Sequence, residues 1–241
     1  MSTRLAIHGG KKAIILDQSQ ASRWPIIDDE VIAAVTEQLK TGEISFSSTI
    51  YEFEKEFADY HDVGYALAHN NGTASIHSAL FAIGVGPGDE VITTAATFWG
   101  TYMPILSSQA IPVFCDIDPY TGCPDPTDIE QRITPNTKAV IIVHLGGMPA
   151  EMDAIVEVSQ RYNLIVIEDC SHAHGATYKG HQSAKMDPPN LNTLNFKICH
   201  IEPVGIGYGD ITQMDIERLK DHMYRFLSVK NMFLLPIVIF F

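Results

Sequence analysis

The chain predicts an α/β domain, a doubly wound and mostly parallel sheet with helices on both faces. Strand-like and helix-like stretches alternate from residue 65 to residue 180. The strand-like ones are short, apolar and β-branched, as in KAVIIVH (Lys138 to His144) and LIVI (Leu164 to Ile167), which suits strands covered on both faces. LIVI also ends abruptly in Glu168 and Asp169, with His172 three residues past the Asp. In an open α/β sheet, ligands sit at the carboxyl ends of the strands, so Asp169 and His172 fall where chemistry normally happens.

The elements follow in order. Residues 1–26 read as an arm, LAIHGGKKAI and then a Ser/Gln-rich link to Trp24-Pro25. From Asp28 to Leu39 acids stand in the first turn, Val31, Val35 and Leu39 share one face, and Gly42 ends the helix. Tyr51, Glu54, Phe57 and Ala58 again have helical spacing; the serines before them, Ser45 and Ser47, read as turn formers or ligand contacts. YALAH (Tyr65 to His69) is a strand that runs through Asn70-Asn71-Gly72-Thr73-Ala74-Ser75 into a helix carrying Ile76, Ala79, Leu80 and Ile83. Such a turn exposes amides that can hold a phosphate, with Thr73 and Ser75 adding hydroxyls, although an ordinary capped helix reads the same way. A glycine-rich turn (Gly84 to Asp89) leads to a strand from Glu90 to Thr93, then Thr97-Phe98-Trp99-Gly100-Thr101. IPVFCDID (Ile111 to Asp118) is a strand ending in two acids, Asp116 and Asp118. After KAVIIVH comes LGGMPAEMD, and a helix with Ile155, Val158 and Tyr162 on its inner face leads back to LIVI.

Composition narrows the function classes. The chain has 241 residues, 46% of them hydrophobic and 19% charged, enough for a sizeable core and not the profile of a disordered chain. With 16 Lys plus Arg against 29 Asp plus Glu, the formal charge of −13 opposes binding to nucleic acid or to anionic membranes. Cys115, Cys123, Cys170 and Cys199 form no CxxC pair. With no secretory leader read in MSTRLAIHGG, a cytoplasmic protein is expected. No apolar run approaches the ~20 residues of a membrane span. The tail FLLPIVIFF (Phe233 to Phe241) is too short for one and is interrupted by Pro236. His172 and His174 form an HxH pair without a convincing third ligand, so no metal is expected.

Taken together, the ordered motifs resemble the DegT/DnrJ/EryC1/StrS family of sugar aminotransferases, which use pyridoxal phosphate (PLP). The resemblance rests on Gly72-Thr73-Ala74, Gly86-Pro87-Gly88-Asp89 with Thr97-Phe98, the Val113 to Asp118 run, His144 to Asp153, and Asp169 with His172. It implies the large domain of a type I PLP-dependent transferase, an aspartate-aminotransferase-like α/β/α sandwich, over residues 27–230. A C-terminal small domain is missing by this reading, and 231–241 is an unmatched tail. By resemblance Asp169 bonds the protonated pyridine nitrogen, Phe98 (with Trp99 as fallback) lies on the ring, His172 packs beside it, and Gly72, Thr73 and Ser75 hold the phosphate. A carboxylate at that nitrogen keeps it protonated, which makes the ring an electron sink. The implied partners are a keto-sugar or keto-cyclitol, glutamate or glutamine as amino donor, and a second copy of the chain in a homodimer.

Beyond Gly180 the resemblance degrades. The family continues into a Ser-x-Lys whose lysine bonds the cofactor. Counting back from Gly207-Tyr208-Gly209 puts Glu202 at that place, and counting forward from Asp169 points to Lys197. A carboxylate cannot replace the amine, so Lys197 is the catalytic candidate, ahead of Lys185 and Lys179, and little or no aminotransferase activity is expected. Two alternatives stay open. One is a PLP-dependent sugar dehydratase in which a histidine, here His200, stands for the lysine; the other is a non-catalytic remnant of the same fold.

Overall fold

The computed structural model describes residues 4–11 and 27–182 apart from 46, 62 and 64, together with the strands 196–199 and 237–240. Among these, helices α1 (Asp29–Thr41) and α2 (Ser48–His61) precede β1 (Ala66–His69), α3 (Gly72–Ala82), β2 (Glu90–Thr94) and α4 (Trp99–Ser107). Then come β3 (Ile111–Cys115), α5 (Pro126–Arg132), β4 (Thr137–Val143), α6 (Met152–Tyr162) and β5 (Ile165–Asp169). A small hairpin, β6 (Thr177–Tyr178) and β7 (His181–Gln182), is followed by β8 (Phe196–Cys199) and β9 (Ile237–Phe240). The main sheet has the order β1-β9-β8-β5-β4-β2-β3. From β8 to β3 its neighbours are parallel, and β9 runs antiparallel to both β1 and β8.

The expected doubly wound fold forms because successive strand residues face opposite ways. Val91, Ala139, Ile141 and Ile167 pack on one face against Ile76, Ala79 and Leu80 of α3 and Ile105 of α4. Ile92, Val140, Ile142 and Val166 pack on the other against Ile129 of α5 and Met152, Ile155 and Val158 of α6. A third cluster seats Phe53 and Phe57 of α2 against Cys170 and Ala173, just past the end of β5. No helix of the described residues is long and apolar enough to cross a membrane.

Several local expectations change. Leu39 and Tyr162 are exposed, at 61% and 45%, so the inner faces of α1 and α6 are narrower than the apolar spacing implies. On α2 it is Phe53, with Phe57, Ala58 and His61, that is buried, whereas Tyr51 is exposed. Helices α4 and α5 went unread in the sequence, the first because Pro104 interrupts its pattern. At the carboxyl end of the chain, Ile237–Phe240 is not left outside the fold: its backbone is paired on both sides, with β1 and with β8. A β-branched run can complete a ladder between two strands whatever its sequence match.

Candidate active site

Strands β2 and β5 lie either side of β4, so the loops that follow them open on the same carboxyl edge of the sheet. That edge is met by the amino end of α3. Together they line a cavity of about 610 Å³, bounded by Asn71, Gly72, Thr73, Phe98, Asp169 and His172 among others.

Asp169 closes β5 and is buried, yet it reaches the cavity. Its carboxylate is fully engaged from the protein side. Oδ1 accepts from the Ser171 amide at 3.1 Å and from the Ser171 hydroxyl, and Oδ2 accepts from Thr101 Oγ1 at 3.0 Å. These donors fix the rotation of the carboxyl group, so that it faces the cavity as a fixed acceptor.

At the head of α3, Asn71 caps the helix, its side chain accepting from the Ala74 amide at 2.8 Å. The Gly72 and Thr73 amides find no acceptor among the described residues, and both residues line the cavity. Free amides at the start of an 11-residue helix suit a phosphate. Ser75 corrects the expectation. It is fully buried, its Oγ donates to the Asn71 carbonyl at 3.4 Å, and it does not line the cavity. Its hydroxyl closes the turn below the amides.

Phe98 and Trp99 are both exposed, at 63% and 54%. Their rings touch, 5.0 Å between centroids, and both line the cavity. Gly100 is what lets them stand there. A Cβ on Gly100 would lie 2.6 Å from Thr73 Oγ1 and 2.8 Å from the Phe98 ring, so any other residue here would push one of these two side chains out of place.

The loop after β4 braces the floor. The His144 amide donates to the Asp169 carbonyl, and the His144 ring lies 3.1 Å from Glu168 Oε2 through Nε2. Burial opposes a charge on that ring, while Cys170 and Glu168 favour one and would carry its pKa to about 10. The Ala150 amide decides between them. It donates into Nδ1 at 3.1 Å, so the ring is neutral with its proton on Nε2, donated to Glu168. The same tautomer disfavours a metal, although the His144, Glu168 and Cys170 ligand atoms lie within 4.8 Å of one another. Further along, Gly146 (φ 64°) donates its amide to His172 Nδ1 at 3.2 Å. His172 is thereby turned at the cavity rim with its proton on Nε2, which has no acceptor among the described residues.

The chain as a whole has relatives among known proteins. The family model of the DegT/DnrJ/EryC1/StrS aminotransferases matches residues 25–226. The chain belongs to that family. It is 40% identical over 208 residues to the spore coat polysaccharide biosynthesis protein SpsC of Bacillus subtilis, covering 86% of this chain and 52% of SpsC. It is 36% identical over 231 residues to the L-glutamine:2-deoxy-scyllo-inosose aminotransferase of Streptomyces fradiae, covering 92% and 53% of the two chains. A solved structure of NtdA from Bacillus subtilis with bound cofactor PMP superposes with a TM-score of 0.64 at 35% identity, over 72% of this chain and 38% of that one. The α/β sheet thus matches the large domain of PLP-dependent aminotransferase structures, and the chain spans about half the length of the curated relatives it matches.

Of the residues singled out in the sequence, Gly72, Thr73, Phe98, Asp169 and His172 meet in the one cavity. Lys179 does not: it is exposed and paired with Asp153. Lys197 lies on β8, with Glu168 as its register partner and Ile198 opposite Asp169; its side chain lies outside the described residues. Lys185, His200 and Glu202 also lie outside them, as does most of the arm. Sequence reasoning missed Thr97, Thr101, Ser171 and the His144 brace. A signal existed for the threonines, which stand four apart across the start of α4.

Proposed function

We propose that this cavity binds PLP, and that the chain is the large domain of an aminotransferase for keto-sugars or keto-cyclitols with glutamine or glutamate as amino donor. The observation that carries the reading is the meeting of Asp169, Thr73 and Phe98, from three separate strand ends, in one cavity of cofactor size. The residues fit the group. Free amides and the Thr73 hydroxyl face the place of an anion, an exposed aromatic offers a stacking wall, and Gly100 keeps open the space a Cβ would fill. When bound, the cofactor supplies an electron sink that stabilises a carbanion.

Each residue has a task in that chemistry. Asp169 accepts a hydrogen bond from the ring nitrogen, and its low exposure makes the interaction worth more than in water. Gly72 and Thr73 hold the phosphate, Phe98 covers one face, and His172 donates from Nε2 at the rim. The proton transfers need an amine as well. Lys197 is the candidate, and Glu202 at the aligned place would set a negative charge beside the phosphate. The chain therefore turns over little or not at all, since positioned acid–base catalysis is worth roughly 10²–10⁴ in rate. A homodimer in the cytoplasm completes the reading.

Absorbance with added PLP tests it. A visible band bleached by borohydride reports a lysine linkage, whereas a band lost on dialysis reports unlinked cofactor. Transamination from glutamine to a keto-cyclitol, run beside Glu202→Lys and Lys197→Ala, then decides the lysine. Normal turnover that Lys197→Ala abolishes would overturn the inactivity and make Lys197 the catalytic amine; no spectral change at all would overturn the cofactor.

A further inference from the structure

Asp169 is anchored at both oxygens, and the two anchors differ in kind. Ser171 sits two residues away on the same turn, so its bonds follow the local backbone. Thr101 comes from α4, 68 residues distant in sequence, and its hydroxyl is almost wholly buried. A threonine inside a helix ordinarily bonds the carbonyl one turn back. Thr101 instead spends its one proton on Asp169 Oδ2. That settles the direction of the next contact. Thr97 Oγ1 lies 2.8 Å from Thr101 Oγ1, and because the Thr101 proton is already given, Thr97 must be the donor. Thr97 also lines the cavity, where its oxygen remains an acceptor.

We propose that Thr101 and Thr97 are positioning residues that act through Asp169, in a directed hydrogen-bond chain from Thr97 to Thr101 to the carboxylate. The inference rests on the PLP reading and extends it. The chain holds one carboxylate oxygen at a fixed rotation, and it also ties β5 to the helix whose first residues carry the aromatic wall. One buried bond thereby sets the separation between the acceptor for the ring nitrogen and the face that covers the ring. The negative charge on Asp169 orders both hydroxyl protons, and each bond polarises the next.

The test uses the 241-residue chain with Thr101→Val, Thr101→Ser, Thr97→Val and Asp169→Asn. Binding is read by fluorescence titration with PLP and with its carbocyclic analogue, which has carbon in place of the ring nitrogen. Thr101→Val should weaken PLP on the order of tenfold, as expected for a lost hydrogen bond to a charged group. It should change the analogue far less. Thr101→Ser should restore PLP binding, Thr97→Val should cost less than Thr101→Val, and in the Asp169→Asn background Thr101→Val should have no further effect on PLP. Equal losses for both probes, or an unchanged loss in the Asp169→Asn background, would overturn the proposal. If the unsubstituted chain binds no PLP, the cofactor reading fails by itself. Urea unfolding of the unsubstituted chain, Thr101→Val, Asp169→Asn and the double variant then decides the chain: coupling between Thr101 and Asp169 upholds it and additivity sinks it.

Discussion

Two strands of this sheet end in nearly the same way in sequence, Phe114-Cys115-Asp116 on β3 and Ile167-Glu168-Asp169 on β5, and their acids meet opposite fates. Asp116 is exposed, and Asp118 beyond it accepts from the Tyr120 and Thr121 amides to close a surface turn. Glu168 and Asp169 are buried, one braced by His144 and the other held by Thr101 and Ser171. The difference is position in the sheet. β3 is the edge strand, with β2 alone beside it, whereas β5 lies between β4 and β8 with helices over both faces. A carboxylate at an edge can be satisfied by water. At the centre it must be satisfied by protein donors, and one aimed at a cavity is then poised for a ligand.

Substitutions can break that contrast. The largest effect is expected at Glu168, where Ala leaves the His144 N–H without its acceptor and should lower the urea-unfolding free energy by about 2–4 kcal/mol. Glu168→Gln keeps an acceptor and should cost clearly less; equal losses would mean that the ring is charged after all.

Gly147 comes next. It has φ 86°, and a Cβ would meet the His172 carbonyl at 3.0 Å, so Ala should cost about 1–2 kcal/mol and weaken PLP binding through the displaced rim. Gly100→Ala should show the reverse balance. Alanine favours the helix by up to about 1 kcal/mol, which offsets part of the clash, and the exposed Phe98 ring can swing away. Stability should therefore move little while PLP affinity falls about tenfold, a loss that reflects crowding against Thr73.

The smallest effects belong to the edge. Asp116→Ala should leave the unfolding midpoint unchanged within error. At Asp118 the Thr121 and Tyr120 amides hold the carboxyl below the usual carboxylate range. Its contribution is therefore present above the unfolded pKa of about 3.9 and is lost as the pH falls through the lower folded value. Asp118→Asn should flatten that acid limb slightly and leave stability at neutral pH nearly as it was. A steepened limb would contradict the assignment.

How much of the site was legible follows the same division. Gly72, Thr73, Phe98, Asp169 and His172 line one cavity, because each follows an apolar strand run and strand ends on one edge of a parallel sheet converge. Ser75 was misjudged because a hydroxyl in the right turn can face either the ligand or the backbone, and the Asn71 carbonyl took it. Thr101 and the His144 brace were not legible, because their partners lie 68 and 24 residues away.

By itself, then, the sequence determined the buried strands, helices α1, α2, α3 and α6, the acid at the end of β5 and the glycine at the start of α3, since apolar period, β-branching and turn chemistry are local properties. The tertiary structure alone decided which acids are buried, which hydroxyls anchor Asp169, and that Ile237–Phe240 pairs between β1 and β8. Those outcomes depend on strand order and on close approach across the sheet. No local pattern encodes strand order, because it is fixed by which apolar faces can be covered together.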